Sequence, residues 1–237
     1  MRTKTILGVV FACLMLGLLM TQISTSERPS LLSPENGAQM WDNQVTLRWE
    51  NTAGIRRVYV DVNNPGGNSH IRFPSLPLSG SVDFTATLWV RFNAQLPVSQ
   101  HDKIIDFHEG TGFQLNYEST TEGLRFTVRD QNLNEVKLPS YYTPRIGEWH
   151  LYTIVFKRGE RMAIYEDNRL LAELTAGVPL QIGNWSSQNP GYNAIGFDGT
   201  QYPINAAVDD FRIYRRALSP AEIENLWLGR PVDNTDL

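Results

Sequence analysis

One cysteine, Cys13, occurs in the whole chain, so no intrachain disulfide can staple this fold. No two histidines among His70, His101, His108 and His150 are four residues apart, and no second thiol stands beside them, so the ligand spacings of a zinc centre are missing. Gly-x-Ser-x-Gly is absent, which removes the nucleophile elbow of a serine hydrolase. Basic residues are also in deficit: Lys and Arg total 21 against 25 Asp and Glu, a net charge of -4 that becomes -6 without Arg2 and Lys4. With no Lys/Arg stripe to neutralise phosphates, nucleic acid is excluded as the main partner. No repeat of fixed period and no low-complexity tract appears, which sets aside solenoids and disordered tails.

Long apolar runs are equally scarce. The one present, Ile6 to Met20, follows a basic start (Arg2, Lys4) and precedes the polar stretch to Ser26. Fifteen residues fall short of the roughly 20 that span a bilayer and suit a signal-peptide core. Residues 1–26 therefore read as a signal peptide cleaved after Ser24 or Ser26, or as an uncleaved signal anchor. Cys13 lies inside the apolar run with hydrophobic residues after it, which is the wrong place for lipoprotein acylation. Either reading sends the chain to the periplasm, the extracellular space or the cell surface, with membrane contact only through an uncleaved N-terminal segment.

What remains is a succession of short strands. Residues 27–56 read as a linker and an extra strand, VTLRWE from Val45 to Glu50. Residues 57–230 follow as one domain, with RRVYVDV entering it and a tail at 231–237. In it HIRFP, DFTATLWVRF, DKIIDF, GFQLNY, GLRFTVRD, EVKLP, WHLYTIVFK, RMAIYEDN, RLLAEL, PLQIG, NAIGF and AVDDFRIY come at close spacing with turn residues between them. So many short strands predict an all-β fold, a sandwich of two antiparallel sheets. The one predicted helix beyond the export segment runs from Pro220 to Leu228, opened by Ser219-Pro220 with Glu222 as the far half of a capping box. In the strand before it, strict alternation puts Val208, Asp210, Arg212 and Tyr214 on one face and Asp209, Phe211 and Ile213 on the other. Burying the pair Asp209-Asp210 requires a cation, an arginine or backbone amides for at least one of them. Phe84, Trp89, Trp149 and Phe156 lie on strands and are expected in the core.

The order of these segments carries a resemblance. DFTATLWVRF, then GLRFTVRD, then GEWHLYTIVFKRGERMAIYEDNRLLA, then NAIGF and VDDFRIYRRALSPAEI resembles the laminin G-like, or concanavalin A-like lectin/glucanase, superfamily over roughly Asn68 to Leu228. The hairpin reads Glu166-Asp167-Asn168 where that family prefers Asp-Gly. The resemblance implies a jelly-roll sandwich with a short C-terminal helix. It also implies a structural calcium ion joining a loop near the domain's start to an Asp of the closing strand. Asp209 matches that Asp, and Asp61, Asn63 and the carbonyls around Gly66 are the candidate companions. The other reading of Asp209 is a pairing with Arg212 or with backbone amides.

Glycan binding combines an aromatic face for sugar C–H groups with amides and carboxylates for hydroxyls. The richest such loop is Asn184-Trp185-Ser186-Ser187-Gln188-Asn189-Pro190-Gly191-Tyr192-Asn193, and Ser140-Tyr141-Tyr142 is second. Ligand-binding candidates are therefore Trp185, Asn184, Gln188, Tyr192, Asn193 and Tyr141. Glycosidases of the resembled superfamily often carry Glu-x-Asp-x-x-Glu on one strand, which this chain lacks. Glu118 and Glu122 flank a turn, while Asp106 and Glu109 stand at a strand end, and all four read as solvated surface. The expected function is a non-catalytic binding or adhesion module for carbohydrate or a surface protein, with no catalytic residues. The alternatives are a polysaccharide hydrolase or lyase on the same scaffold and a structural domain of a surface assembly. Carboxylates, Arg, His or Tyr converging on one sheet face would favour the enzyme; a plain sheet face with polar loops would favour the binder.

Overall fold

The computed structural model describes the backbone of residues 39–40, 47–52, 55–61, 70–72, 83–93, 101–107, 110–130, 132–178, 186–187, 194–196 and 204–232. Fifteen strands are found there: β1 (Gln39–Met40), β2 (Leu47–Thr52), β3 (Ile55–Asp61), β4 (Ile71–Arg72), β5 (Phe84–Phe92), β6 (Asp102–Phe107), β7 (Gly110–Ser119), β8 (Gly123–Arg129), β9 (Glu135–Pro139), β10 (Trp149–Lys157), β11 (Arg161–Glu166), β12 (Arg169–Leu174), β13 (Ser186–Ser187), β14 (Ala194–Ile195) and β15 (Ala206–Tyr214). They form two antiparallel sheets. The first has the order β1-β4-β14-β6-β7-β8-β9, with β13 pairing β7; the second has the order β12-β11-β10-β5-β15-β3-β2. The expected sandwich is thus the observed one. The signal segment 1–26, the predicted strand PLQIG and the tail from residue 233 lie outside the described residues.

The core follows from period-two alternation. On β5, Phe84, Ala86, Leu88, Val90 and Phe92 are buried, and their ladder partners on β10 include Phe156, Ile154 and Tyr152. On β7 and β8 the inward set is Phe113, Leu115, Tyr117, Leu124, Phe126 and Val128. Phe84 ties the two layers: its ring stacks on Phe113 at 4.2 Å and Phe156 at 5.7 Å and meets Phe126 edge-on at 6.2 Å. The edge strands β9 and β12 approach each other, closing one side of the sandwich.

The helix α1 (Pro220–Trp227) covers the outer face of the second sheet. Ile223 and Leu226 pack there with Leu151, Val155, Ala163, Tyr165, Tyr214 and Leu218. Its start carries the full capping box, Ser219 accepting from the Glu222 amide while the Glu222 carboxylate accepts from the Ser219 amide. Thr85 Oγ1 fastens the approach to the helix, donating to the Arg216 carbonyl and accepting from the Leu218 amide, both at 2.9 Å.

Strict alternation fails on β15. Asp209 stands opposite Trp89 and Arg212 opposite Thr87, so three steps on one strand match two on the other. The extra residue is a β-bulge, with Asp210 at φ 49°. A bulge resets parity: Val208 before it and Phe211 and Ile213 after it all face the inter-sheet core, while Tyr214 turns to the helix side. The bulge also decides the acidic pair. Arg212 grips Asp210 with two hydrogen bonds of 2.7 and 2.6 Å, so a pairing of Arg212 with Asp209 gives way to one with Asp210. Trp89 and Trp149 depart from expectation as well. They are half-buried on the outward positions of β5 and β10, Trp89 packing on the helix-side cluster and Trp149 lying under Arg91 at 5.3 Å.

Candidate polar ligand face on the first sheet

The outward positions of β6, β7 and β8 are polar and enclosed. In register, Asp106 stands beside Gln114 and Gln114 beside Thr127; one step along, Lys103 stands beside Asn116 and Asn116 beside Arg125. Asp106, Gln114, Asn116, Arg125, Thr127 and Glu118 are all buried. The reading of Glu118 and Asp106 as solvated surface is therefore corrected. Alternation of one sequence identifies an outward face but not what encloses it.

Glu118 is the hub. Its Oε1 lies 2.6 Å from His101 Nδ1, and its Oε2 lies 2.5 Å from Arg125 Nη2 and accepts from Asn116 Nδ2 at 2.7 Å. Arg125 Nη1 reaches Glu122 at 3.4 Å. Burial alone would raise the Glu118 pKa, but hydrogen bonds from His101 and Asn116 and the charge of Arg125 outweigh it, so the carboxyl sits below its ordinary value. Beside this hub, Lys103 bonds the Gln114 amide oxygen and stands 3.8 Å from Asp106. The network surfaces at the tip of the β7–β8 hairpin: side-chain exposure is 10% at Glu118 and 9% at Arg125 but 36% at His101 and 42% at Glu122.

Three atoms in this face have their polar capacity unused. Asn116 Oδ1, Arg125 Nε and Thr127 Oγ1 are buried and make no hydrogen bond to any described residue. Asn116 and Arg125 are directly opposite in the ladder, and Thr127 is two residues beyond Arg125 on the same face. Buried polar atoms are nearly always satisfied, because each orphan costs about 1–3 kcal/mol. Unpartnered and enclosed, an acceptor, a donor and a hydroxyl side by side are complementary to a hydroxyl group that reaches them. Sequence reasoning missed these residues. The usable signal was the pattern Gln114-x-Asn116-x-Glu118 followed by Arg125-x-Thr127, amide and ionic groups alternating with core residues on consecutive strands.

Of the sequence candidates, Tyr141 lies at this site's edge. It is 75% exposed and holds φ 57°, a left-handed conformation unusual for a non-glycine residue. The strain is held by backbone bonds around it: Tyr141 N–H to the Glu122 carbonyl at 2.8 Å, Ser140 N–H to Leu124 at 2.7 Å and Leu124 N–H to Tyr142 at 3.1 Å. Tyr142 anchors the loop from the other side. Its hydroxyl donates to the buried Glu166 carboxylate at 3.0 Å, which also accepts from Tyr152 at 3.1 Å and Arg169 at 2.7 Å. Burial first, then the Glu166 bond, pushes the Tyr142 hydroxyl above its ordinary pKa.

Asn184, Trp185, Gln188, Tyr192 and Asn193 lie outside the described residues. The two residues between them, Ser186–Ser187, form β13, paired with Thr111 and Gly110 at the start of β7. Glu118 is at the far end of that strand, so β13 and the hub are separated by roughly 24 Å of extended chain.

Among the metal candidates, Asp209 is half-buried opposite Trp89, and Asp61 stands opposite Ala207, two residues before Asp209. Two carboxylate-bearing positions on neighbouring strands suit a hard cation's preference for oxygen. Asn63 and Gly66 lie outside the described residues, and among the described residues no group of three or more His, Cys, Asp or Glu is set to hold a metal.

Solved structures share this architecture. Domain 4 of an extracellular arabinanase from Geobacillus stearothermophilus, in complex with arabinotriose, superposes with a TM-score of 0.59 at 15% identity, over 80% of this chain and 87% of that one. The binding domain of botulinum neurotoxin serotype G gives 0.58 at 19% identity, over 83% of this chain and 47% of that one. The binding domain of botulinum neurotoxin DC, in complex with SialylT, gives 0.52 at 17% identity, over 82% and 46%. The chain thus spans about half the length of the toxin domains, and at these identities the likeness concerns the fold alone. No curated protein matches the chain in sequence. The family profile described as the concanavalin A-like lectin/glucanases superfamily matches residues 65–224, more than half of the chain. The chain belongs to the concanavalin A-like lectin/glucanases superfamily.

Proposed function

We propose that this chain is an exported, non-catalytic carbohydrate-binding module that uses the outward face of β7 and β8. The observation carrying this reading is the adjacent set of unfilled polar atoms at Asn116, Arg125 and Thr127, with exposed Tyr141 at the border. The complexes of similarly folded domains with arabinotriose and SialylT support the ligand class. Export rests on the apolar run of residues 6–20, and secretion or cell-surface display follows from it. Trp185, in the polar loop from Asn184 to Asn193, is the second aromatic candidate of this reading. Carboxylates, Arg and His do converge on the sheet face, the arrangement expected of a hydrolase or lyase. However, a glycosidase acid must be held protonated near neutral pH, whereas Glu118 is pulled the other way by its partners. That favours the binder over the enzyme. A structural calcium ion at Asp209 and Asp61 completes the reading.

A glycan array probed with and without calcium tests it. Thr127→Val removes the hydroxyl and keeps the shape, so it should abolish or strongly weaken array binding while stability holds or rises, because an orphaned polar atom has gone. Trp185→Ala should weaken binding without changing the melting temperature. An intact protein that binds no glycan in either condition overturns the proposal.

A further inference from the structure

We infer that this face selects neutral, hydroxyl-rich saccharides and rejects acidic ones such as uronates and sialylated glycans. The inference rests on the proposed glycan-binding reading and adds to it the charge of the ligand.

Acidic sugars are usually held by an arginine whose two terminal nitrogens grip the carboxylate side by side. Both terminal nitrogens of Arg125 already face carboxylates of the chain itself. Its Nη2 is on Glu118 at 2.5 Å and its Nη1 faces Glu122 at 3.4 Å. The one nitrogen left open is Nε, which donates a single hydrogen bond and suits one hydroxyl oxygen. Directly opposite, Asn116 Oδ1 is an acceptor, because Nδ2 of the same amide is spent on Glu118. An open donor facing an open acceptor, with the Thr127 hydroxyl beyond, matches groups that both give and receive a proton, as sugar hydroxyls do and carboxylates do not.

Charge points the same way. The face holds Glu118, Glu122, Asp106 and Glu135 against Arg125, Lys103, Arg129 and Lys137, four charges of each sign, with Arg129 and Lys137 both held by Glu135. Lys103 is itself engaged by Gln114 and Asp106. An entering carboxylate meets no uncommitted cation among these groups and comes close to Glu122 at the rim, where like charges repel.

The test measures binding of the full chain to immobilised neutral arabinan, glucan, galactan and mannan fragments and to uronate-bearing or sialylated oligosaccharides of the same length. Neutral fragments should bind, with affinity insensitive to added salt, and their acidic counterparts should be weaker by roughly tenfold or more. Glu122→Gln, at an exposed rim position, should narrow that gap several-fold by removing one repelling charge. A preference for acidic glycans, or a gap unchanged by Glu122→Gln, overturns the inference and leaves the glycan-binding reading intact. Failure of every glycan to bind overturns both.

Discussion

His150 Nδ1 lies 2.9 Å from Asp167 Oδ2, while the other oxygen of that carboxylate accepts the Leu151 amide at 3.0 Å. Asp167 thus holds a buried histidine and its own neighbour's backbone at once, from the first position of the β11–β12 turn, where its φ is 58°. The hydrogen bond to Asp167 is the main cause that raises the His150 pKa, against the opposing effect of burial; Glu166 adds to it and Arg145 subtracts.

A pH dependence follows. A histidine whose folded pKa lies above its unfolded value adds stability that is complete below the unfolded pKa and fades as pH rises through the folded one. Melting temperature should therefore increase as pH is lowered from about 8 toward the ordinary histidine range near 6.5. His150→Gln should flatten that slope; an unchanged slope in the variant would assign the effect elsewhere.

The capped helix gives a second prediction. Ser219→Ala removes the side-chain half of the cap and should cost about 1 kcal/mol, or about 2–4 °C in melting temperature. Glu222, held down to about 2 chiefly by its bond to Arg216 and also by Ser219, keeps this anchorage above its unfolded pKa and loses it as pH falls from about 4.5 to 2. Acid titration monitored by tryptophan fluorescence should show the loss in wild type and a smaller one in Glu222→Gln.

Gly123 should tolerate no side chain. Its φ is 68°, and a Cβ built there meets the Tyr142 backbone carbonyl and nitrogen at 2.4 Å. Backbone on that side cannot swing away as a side chain can, so Gly123→Ala should destabilise by about 2 kcal/mol or more. Urea unfolding measures this. A neutral result would mean that the Ser140–Tyr142 loop is not held against β8 as described.

Calcium is tested by removal. If Asp209 holds the ion, a chelator should lower the unfolding midpoint of wild type, and Asp209→Ala should erase the difference. Wild type that ignores the chelator leaves Asp209 without a metal role.

The sequence made the sandwich legible wherever a run of strand-forming residues is bounded by turn residues. DKIIDF, EVKLP, WHLYTIVFK and RLLAEL coincide with β6, β9, β10 and β12. It failed at β15 because one inserted residue inverts every later position, and nothing in DDFRIY announces a bulge. It missed β13 because two residues carry no period. Tyr141 was legible as an aromatic in a polar loop, but Asn116, Glu118, Arg125 and Thr127 were not. Their enclosure depends on which strands become neighbours, and single-strand patterns do not encode that.

The strands that border the sandwich have a further consequence. On β9 the exposed positions are Glu135 and Lys137, with Glu135 bonded to both Lys137 and Arg129, and on β12 the charged Arg169 and Glu173 are exposed on either side of Leu170. An edge written in alternating charges is a poor template for another chain's backbone. Such borders disfavour edge-to-edge pairing between copies of the chain and leave the two sheets to end where the charges do.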